Sequence, residues 1–484
     1  MDVDRGTRVV KGFESFFAGT RADKTVLDLF HQVATTVPAY RKFLAEHDID
    51  PATVVTMDDF RALPMIDKET YHRRYPLPEL CRDGKLDGCD MIAVSSGSSG
   101  HPTVWPRSLV DELAIARRFE QVFRDGFKAH ERSTLAVICF PLGTWVGGLF
   151  TLACTRHLAA KGYPITAVAP GNNKAEILRV LPELADHFDQ VVLLGYPPFV
   201  KDVIDTGLAA GFDWSRHNVK LVLAGEVFSE EWRDLVARRA GITTPTTDSA
   251  SLYGTADAGV LGNETPLSVQ IRRFLAANPD LARELFGDSR LPTLVQYDPT
   301  SRYFETHNGT LLFTGDNGIP LIRYHIADNG GTLTNTEMLD FCTTNGFTPT
   351  TNNDLPFVYV FGRSLFTVSY FGANIYPENV TVGLEQPGIS DWTTGKFVLE
   401  TTTDADQNTH LRITVELAPG KTGDPDQIAA SVRSQLLRLN SEFAHYVPTE
   451  RQTPQVILKP AGDPTNFPTG VKHRYTRQPH NPEA

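Results

Sequence analysis

The chain of 484 residues carries 46 Lys and Arg against 58 Asp and Glu, a formal charge of −12, with 41% apolar and 21% charged residues. These values are typical of a soluble globular protein with two or three domains. The acidic balance disfavours a general binder of nucleic acid or of anionic membranes. The five cysteines form no C-x-x-C pair and are odd in number, which disfavours a disulfide framework or a structural zinc site.

Residues 1–90 show the amphipathic periodicity of helices, and we find no apolar signal-peptide core at their start. We therefore expect a cytoplasmic protein. From residue 135 onward, short apolar runs alternate with helical patterns, which predicts βαβ units and a largely parallel sheet. The uncharged segment 135–154 contains Pro141 and several glycines. We expect it to form a buried strand and a turn into a helix, and no membrane span.

The polar stretch 332–356 is interpreted as irregular structure near a domain boundary. Beyond it, strand-like runs at 396–403 and 410–418 and a helical pattern over 426–443 indicate a compact α+β unit. Because ligands of open α/β sheets bind beyond the carboxyl ends of strands, we expect the functional residues in loops.

A Ser/Gly loop, SSGSSG, stands between the apolar residues 91–94 and an apolar return at 103–106. Backbone N–H groups and hydroxyls of such a loop form a concavity that suits phosphate oxygens, and flanking strands disfavour a flexible linker. The loop lacks the G-K-[ST] of a Walker A motif and the G-x-G-x-x-G of a Rossmann fold. The predicted phosphate contacts are Ser95, Ser96, Gly97, Ser98, Ser99 and Gly100.

An ordered series of motifs accompanies this loop: VPAYRKFLAEHDIDPATV, LPMIDKETYHRRYP, LAGEVFSEEWR, SLYGTADAG, PLIRYHIAD, VFGRS and FGANIYPENV. In this series the chain resembles the adenylate-forming superfamily of acyl-CoA synthetases and adenylation domains, and within it the phenylacetate–CoA ligase branch. The resemblance covers nearly the whole chain. It implies an α/β fold with a large, multi-subdomain N-terminal adenylation domain over residues 1–363, which binds ATP and the acid. A small, mobile α+β lid domain would follow over residues 364–484.

The resemblance also implies an AMP-forming acid–thiol ligase that uses ATP, Mg²⁺ and coenzyme A. The carboxylic acid, aromatic or arylacetic in this branch, would attack the α-phosphate of ATP to give an acyl-adenylate and pyrophosphate. Its acyl group would then pass to the thiol of coenzyme A. This chemistry needs no protein nucleophile, so catalysis would rest on positioning and on charge neutralisation.

On the nucleotide side, the resemblance places Gly225 and Glu226 beside the adenine and the acid pocket. Tyr253 and Gly254 match the family's Tyr-Gly pair, whose aromatic face suits adenine. Asp257 stands where a Glu is usual and is the implied Mg²⁺ ligand. Ala256 replaces the usual hydroxyl residue, which removes one expected phosphate contact.

Two aspartates compete for the ribose position. The family's ribose carboxylate follows an Arg-Tyr pair, so Asp328 matches it, whereas Asp316 in TGDNG is interpreted as part of a hairpin turn. Arg363 matches the family's Gly-Arg near the hinge and is implied to contact the ribose or phosphates.

Lys472 in NFPTGVKHRYTRQ is the implied catalytic residue, whose cation would neutralise charge at the α-phosphate. Arg474 and Arg477 are alternatives to it. For the acid pocket, the candidates are Trp145, Gly147 and Gly148.

The hinge departs from the family pattern, with Leu365 and Phe366 where acidic residues are usual and Ser369 where many relatives carry Lys. Two alternatives therefore stay open: an adenylate-forming enzyme that uses an amine, a carrier-protein thiol or another acceptor, and a nucleotide-binding protein that has lost catalysis. The expected partner is a small carboxylic acid. No nucleic-acid or membrane partner is expected, while a carrier protein and a homodimer stay open.

Overall fold

The computed structural model describes residues 26–95, 103–288, 291–363, 367–418, 420–467 and 475–477. Contacts divide them into two compact units. The larger unit comprises residues 26–95, 104–195 and 200–362. The smaller unit comprises residues 103 and 196–199 and the described residues from 363 onward. The mixture of helices and strands confirms the predicted α/β fold class.

The helices coincide with amphipathic runs, and many of them start at a Pro or at a Ser, Thr, Asp or Asn cap. The α-helices of the described residues are α1 (Val26–Thr36), α2 (Pro38–Glu46), α3 (Met57–Ala62), α4 (Leu77–Leu80), α5 (Leu109–Gln121), α6 (Val146–Ala160), α7 (Lys174–Leu184), α8 (Pro197–Ala209), α9 (Glu230–Arg239), α10 (Pro245–Asp248), α11 (Pro266–Ala276), α12 (Pro279–Phe286), α13 (Asn335–Thr344), α14 (Pro377–Leu384), α15 (Pro425–Leu439) and α16 (Ser441–Tyr446). Shorter helical turns cover Pro51–Thr53, Lys68–His72, Arg82–Gly84, Val122–Gly126, Ala185–His187, Trp214–His217 and Thr449–Arg451.

The strands of the described residues follow the apolar runs of the sequence. They are β1 (Met91–Ser95), β2 (Thr103–Arg107), β3 (Thr134–Ile138), β4 (Ile165–Val168), β5 (Gln190–Gly195), β6 (Lys220–Ala224), β7 (Ser249–Thr255), β8 (Gly259–Asn263), β9 (Thr293–Gln296), β10 (Arg302–His307), β11 (Thr310–Gly315), β12 (Leu321–Leu333), β13 (Phe357–Arg363), β14 (Val368–Tyr370), β15 (Ala373–Ile375), β16 (Thr393–Thr403), β17 (Thr409–Leu417) and β18 (Gln455–Lys459).

The large sheet has the strand order β10-β11-β12-β13-β9-β8-β7-β6-β5-β3-β4. The neighbours among β4, β3, β5, β6 and β7 pair in parallel, as the strand–helix alternation predicted. From β7 to β8 and through β9, β10, β11 and β13 the pairings are antiparallel. The prediction of a largely parallel sheet is therefore wrong for about half of it. The reason is that tight turns, such as the one between β7 and β8, reverse the chain, whereas parallel strands need a crossover.

The segment 332–356, expected to be irregular, contains helix α13. A capping box starts this helix: the Thr334 hydroxyl accepts from the Glu337 backbone N–H, and the Glu337 carboxylate accepts from Thr334 N. Met338 and Cys342 are buried in a cluster with α11 and α12. The expectation was wrong because the polar composition concealed a capped helix with a narrow apolar face.

The smaller unit contains the predicted strands and helix. Strands β16 and β17 pair antiparallel, and β18 joins β17 in parallel. Helices α14 and α15 approach closely at Gly383, where an added Cβ would lie 2.7 Å from a methyl of Val432. The Ser431 hydroxyl donates to Gly383 O at 2.8 Å across the same contact. This confirms a compact α+β unit.

The uncharged segment 135–154 forms the fully buried strand β3 and the start of helix α6, as predicted. Gly148 explains why the helix can start there. A Cβ at this position would lie 2.1 Å from Pro141 O, so only glycine lets the helix pack against the preceding turn. In the part of the chain that the structure describes, no helix is both long and apolar enough to cross a bilayer.

Candidate active site

The N-terminal helices position one edge of the site through an aromatic core that includes Phe30, Tyr40 and Phe60. After this core, Ile66 pairs with Tyr324 of β12 as an isolated parallel bridge. Ile66 N donates to Arg323 O at 3.3 Å, and His325 N donates to Ile66 O at 2.8 Å. This bridge places Ile66, two residues before Lys68, beside Tyr324.

The predicted phosphate loop is flanked by β1 and β2, which pair as a two-stranded sheet. The prediction that apolar strands enclose the loop is confirmed. Ser95 ends β1 and is buried, and its hydroxyl accepts a hydrogen bond from Trp105 Nε1 at 3.3 Å. The other predicted loop contacts lie outside the described residues: Ser96, Gly97, Ser98, Ser99 and Gly100.

Two residues that the sequence assigned to the nucleotide meet in the structure. Tyr253 lies in β7 and Asp328 in β12, and both side chains are buried. The Tyr253 hydroxyl donates to Asp328 Oδ2 at 2.7 Å. This bond brings the ring expected to face adenine next to the carboxylate expected to hold the ribose.

Gly254 follows Tyr253 at an irregularity in the pairing of β7 with β8. A Cβ on Gly254 would lie 2.7 Å from Gly259 O, which is closer than a side chain tolerates. Glycine is therefore required for the close approach of the two strands at this turn. The turn that follows carries Ala256 and Asp257.

Asp257, the predicted metal ligand, is 3% exposed and contacts one hydroxyl donor and one ammonium group. The Tyr324 hydroxyl donates to its Oδ2 at 2.6 Å, and Lys68 Nζ lies 3.1 Å from its Oδ1. The sequence assigned no role to Lys68 or to Tyr324. Both belong to the motifs of the resemblance, but only the folded chain shows that they contact Asp257.

These contacts bear on Mg²⁺, which takes carboxylates together with water and substrate phosphates. Within the described ranges, no group of three or more His, Cys, Asp or Glu side chains could hold a metal ion. The Asp257 carboxylate already accepts from a hydroxyl and faces an ammonium group. Asp257 stays the predicted Mg²⁺ ligand, and a metal bound to its carboxylate would share that carboxylate with the Lys68 ammonium group.

A buried arginine supports the same turn. Arg107 ends β2, is 1% exposed, and donates to Ala256 O. Burial lowers the pKa of its guanidinium, while the charges of Asp111 and Asp257 oppose this shift. Ala256, which lacks the family's hydroxyl, thus takes part in the site through its carbonyl oxygen.

Trp105 forms an aromatic wall next to these charges. Its ring meets Tyr324 edge-on at 6.5 Å between centroids and lies 4.4 Å from the His72 ring. Lys68 Nζ lies 5.8 Å from the centre of the Trp105 ring. Burial lowers the pKa of His72, whose Nε2 bonds to Val104 O at 3.0 Å. The neutral ring of His72 therefore packs here without adding a second cation beside Lys68.

Gly225, Glu226 and Arg363 lie at strand ends or directly after them. Gly225 follows β6 with φ +89°, a conformation that favours glycine, and the partly buried Glu226 comes next. Arg363 is the last residue of β13. Lys472 lies outside the described residues, as do Leu365 and Phe366 of the hinge.

The structure also describes the candidates for the acid pocket and Asp316, the alternative to Asp328 for the ribose position. Trp145 precedes α6, whose first turn contains Gly147 and Gly148, and it pairs with Val94 of β1 as an isolated bridge. Asp316 lies in the turn between β11 and β12, as predicted, and forms a salt bridge with Arg82.

Strand β12 has a left-handed residue just before Asp328: Ala327 has φ +65°. Such a conformation costs a non-glycine residue roughly 1–2 kcal/mol. We expect Ala327→Gly to raise the free energy of unfolding in urea by about 0.5–1 kcal/mol, since glycine gives back part of the gain as entropy. Ala153→Gly inside α6 is the control and should lose about 1 kcal/mol. A less stable Ala327→Gly protein would contradict the strain argument.

No protein-family profile matches the chain, and no curated protein matches it significantly. Solved structures do. A 2-hydroxyisobutyryl-CoA ligase in complex with 2-HIB-AMP and CoA in the thioesterification state shares 16% identity with a TM-score of 0.65, over 95% of this chain and 90% of that chain. An open conformation of that ligase with the same two molecules gives 15% identity and a TM-score of 0.53, over 93% and 90% of the two chains. The chain therefore has the fold of the adenylate-forming enzymes that its motifs resemble.

Proposed function

We propose that the chain activates a carboxylic acid with ATP, forming an acyl-adenylate and pyrophosphate, and then transfers the acyl group to coenzyme A. ATP would enter as its magnesium complex, with the metal carried by the nucleotide phosphates. The proposed acid is aromatic or arylacetic, in keeping with the branch that the motifs resemble. The proposed location is the cytoplasm.

The observation that carries this proposal is the hydrogen bond from Tyr253 to Asp328. These residues come from separate motifs, and the resemblance implies that both contact the adenosine part of ATP. A buried carboxylate beside an aromatic ring suits a nucleoside, because the carboxylate accepts from ribose hydroxyls and the ring face packs on the base. The shared fold with a ligase solved with 2-HIB-AMP and CoA supports the same reading.

The reaction test is AMP release from Mg-ATP over a panel of aromatic and aliphatic acids, each with and without coenzyme A. We expect AMP with one acid class, and multiple turnovers only when coenzyme A is present. AMP release that requires an acid but does not depend on coenzyme A would mean that the acceptor is another nucleophile. No AMP with any acid would refute activation of these acids.

A different acceptor is the second candidate. It is favoured by Leu365 and Phe366, which replace acidic residues at the hinge implied by the family resemblance. The second half-reaction depends on rotation of the small domain in that family, and an apolar pair there suggests an altered movement. Hydroxylamine traps an acyl-adenylate as a hydroxamate whether or not coenzyme A is accepted, so a hydroxamate formed with an acid that gives no acyl-CoA would support a different acceptor.

Residues 1–363 are proposed as the adenylation domain and residues 364–484 as the lid domain. Lys472 is proposed as the catalytic cation, with Arg363 on the ribose or phosphate side. Trp145, Gly147 and Gly148 are proposed to line the acid pocket.

A further inference from the structure

A buried network of charges joins helices α9 and α11 in the larger unit. Its centre is formed by Arg233 of α9 and Arg272 of α11, which are 1% and 2% exposed. Their carboxylate partners, Glu230 and Glu264, are 4% and 2% exposed. Arg233 Nε lies 3.0 Å from Glu230 Oε2, and its Nη2 lies 2.7 Å from Glu264 Oε1. Arg272 Nη1 bonds to Glu230 Oε1.

Both arginines hold the turn that follows β6. The Arg272 guanidinium donates to Phe228 O and, at 2.9 Å, to Pro292 O. The Phe228 ring lies 4.9 Å from the Arg233 guanidinium carbon and 5.3 Å from that of Arg272. Phe228 is two residues after Glu226. Its backbone carbonyl and its ring, at the end of this turn, therefore both contact the arginines.

The same network also holds strand β7. Glu264 Oε2 accepts from Ser251 N at 2.7 Å, and Arg233 Nη1 donates to Ser249 Oγ at 2.7 Å. Ser251 comes two residues before Tyr253. A single set of four charges therefore connects the Gly225–Glu226 turn to the strand that carries Tyr253.

The free energy of burying these charges indicates that they position neighbouring segments. Replacing a buried ion pair with apolar side chains of similar volume often leaves the folded protein equally or more stable. A gain in folding stability is therefore a weak reason for burying four charges. A planar guanidinium group that donates to several acceptors fixes both the directions and the distances of those acceptors. Building on the proposed function, we propose that Arg233 and Arg272 are positioning residues that set the Gly225–Glu226 turn against Tyr253 for nucleotide binding.

The test compares Arg272→Lys with Arg273→Lys. Lysine keeps the charge of Arg272 but loses the planar fork that reaches Phe228, Pro292 and Glu230 together. Arg273 is the matched control, because it neighbours Arg272 on the same helix and bonds to Glu230 and Asp234. ATP affinity is measured by calorimetry without any acid, and Tm is recorded for each protein. We expect Arg272→Lys to weaken ATP binding about tenfold and Arg273→Lys to change it less than twofold.

A lowered Tm with unchanged ATP affinity in Arg272→Lys would assign the network a purely structural role and overturn the proposal. If Arg272→Lys does not fold, Phe228→Leu takes its place, since it keeps an apolar side chain and loses the ring between the guanidinium groups. We expect it to weaken ATP binding severalfold, and unchanged binding would overturn the proposal. Wild-type protein that binds no ATP would refute the proposed function and this inference with it, whereas tight wild-type binding with an unaffected Arg272→Lys refutes the inference alone.

Discussion

Lys472→Ala is expected to lower the rate of adenylate formation by roughly two to three orders of magnitude, the scale found when one preorganised charge-stabilising donor is removed. The reason is that the acid carboxylate attacks a phosphate that is itself negatively charged, so a cation lowers the barrier most at the transition state. Pyrophosphate exchange into ATP, with the acid identified by the AMP assay, measures this step without coenzyme A. ATP affinity should change much less than the rate.

Arg477→Ala is the matched control for Lys472. Arg477 is a described basic residue of the same C-terminal segment, and its backbone N–H bonds to Leu399 O at 2.9 Å in the smaller unit. Its side chain donates to Thr465 O at 3.3 Å. We expect Arg477→Ala to keep pyrophosphate exchange within a few-fold of wild type. Exchange that survives Lys472→Ala but is lost in Arg477→Ala would move the catalytic role to Arg477.

The second large effect is expected from Lys68→Met, which leaves the buried Asp257 carboxylate without its ammonium partner. Breaking one side of a buried pair costs about 3–5 kcal/mol. Lys68 is 25% exposed and Tyr324 still donates to Asp257, so the expected loss is smaller. We expect about 2 kcal/mol in the free energy of unfolding. Denaturation in urea with a common slope across the variants measures it.

The double variant Lys68→Met/Asp257→Asn, together with the two single variants, completes a double-mutant cycle. It removes both charges, so we expect it to be more stable than Lys68→Met alone. Lys42→Met is the control, because Lys42 pairs with Glu79 while 56% of its side chain is exposed, and this variant should lose less than about 1 kcal/mol. Additive losses in the Lys68–Asp257 cycle would show that the two residues do not interact.

The apolar runs between residues 135 and 224 predicted β3, β4, β5 and β6 and the helices between them. Local patterns were sufficient for these elements because each strand–helix unit is formed by neighbouring residues, but they did not predict that β5 pairs with β3 and not with β4. The antiparallel half of the sheet was not predicted, since it depends on which strands pair after short turns. Helix α13 was not predicted because the run is mostly polar, although the Thr334–Glu337 capping box at its start is a helix signal that the sequence contains.

The motifs alone predicted Tyr253, Asp257 and Asp328 as site residues and separated Asp328 from the turn residue Asp316, because residue type and order along the chain are what a motif contains. The partners of these residues come from far away in the sequence. Lys68 reaches Asp257 through the pairing of Ile66 with β12, and Arg272 reaches the turn after β6 from helix α11. Such contacts are set by strand pairing and helix packing over the whole larger unit, so they cannot be predicted from spacing along the chain. The sequence determined the chemistry expected of the site, and the tertiary structure decided which charges surround it.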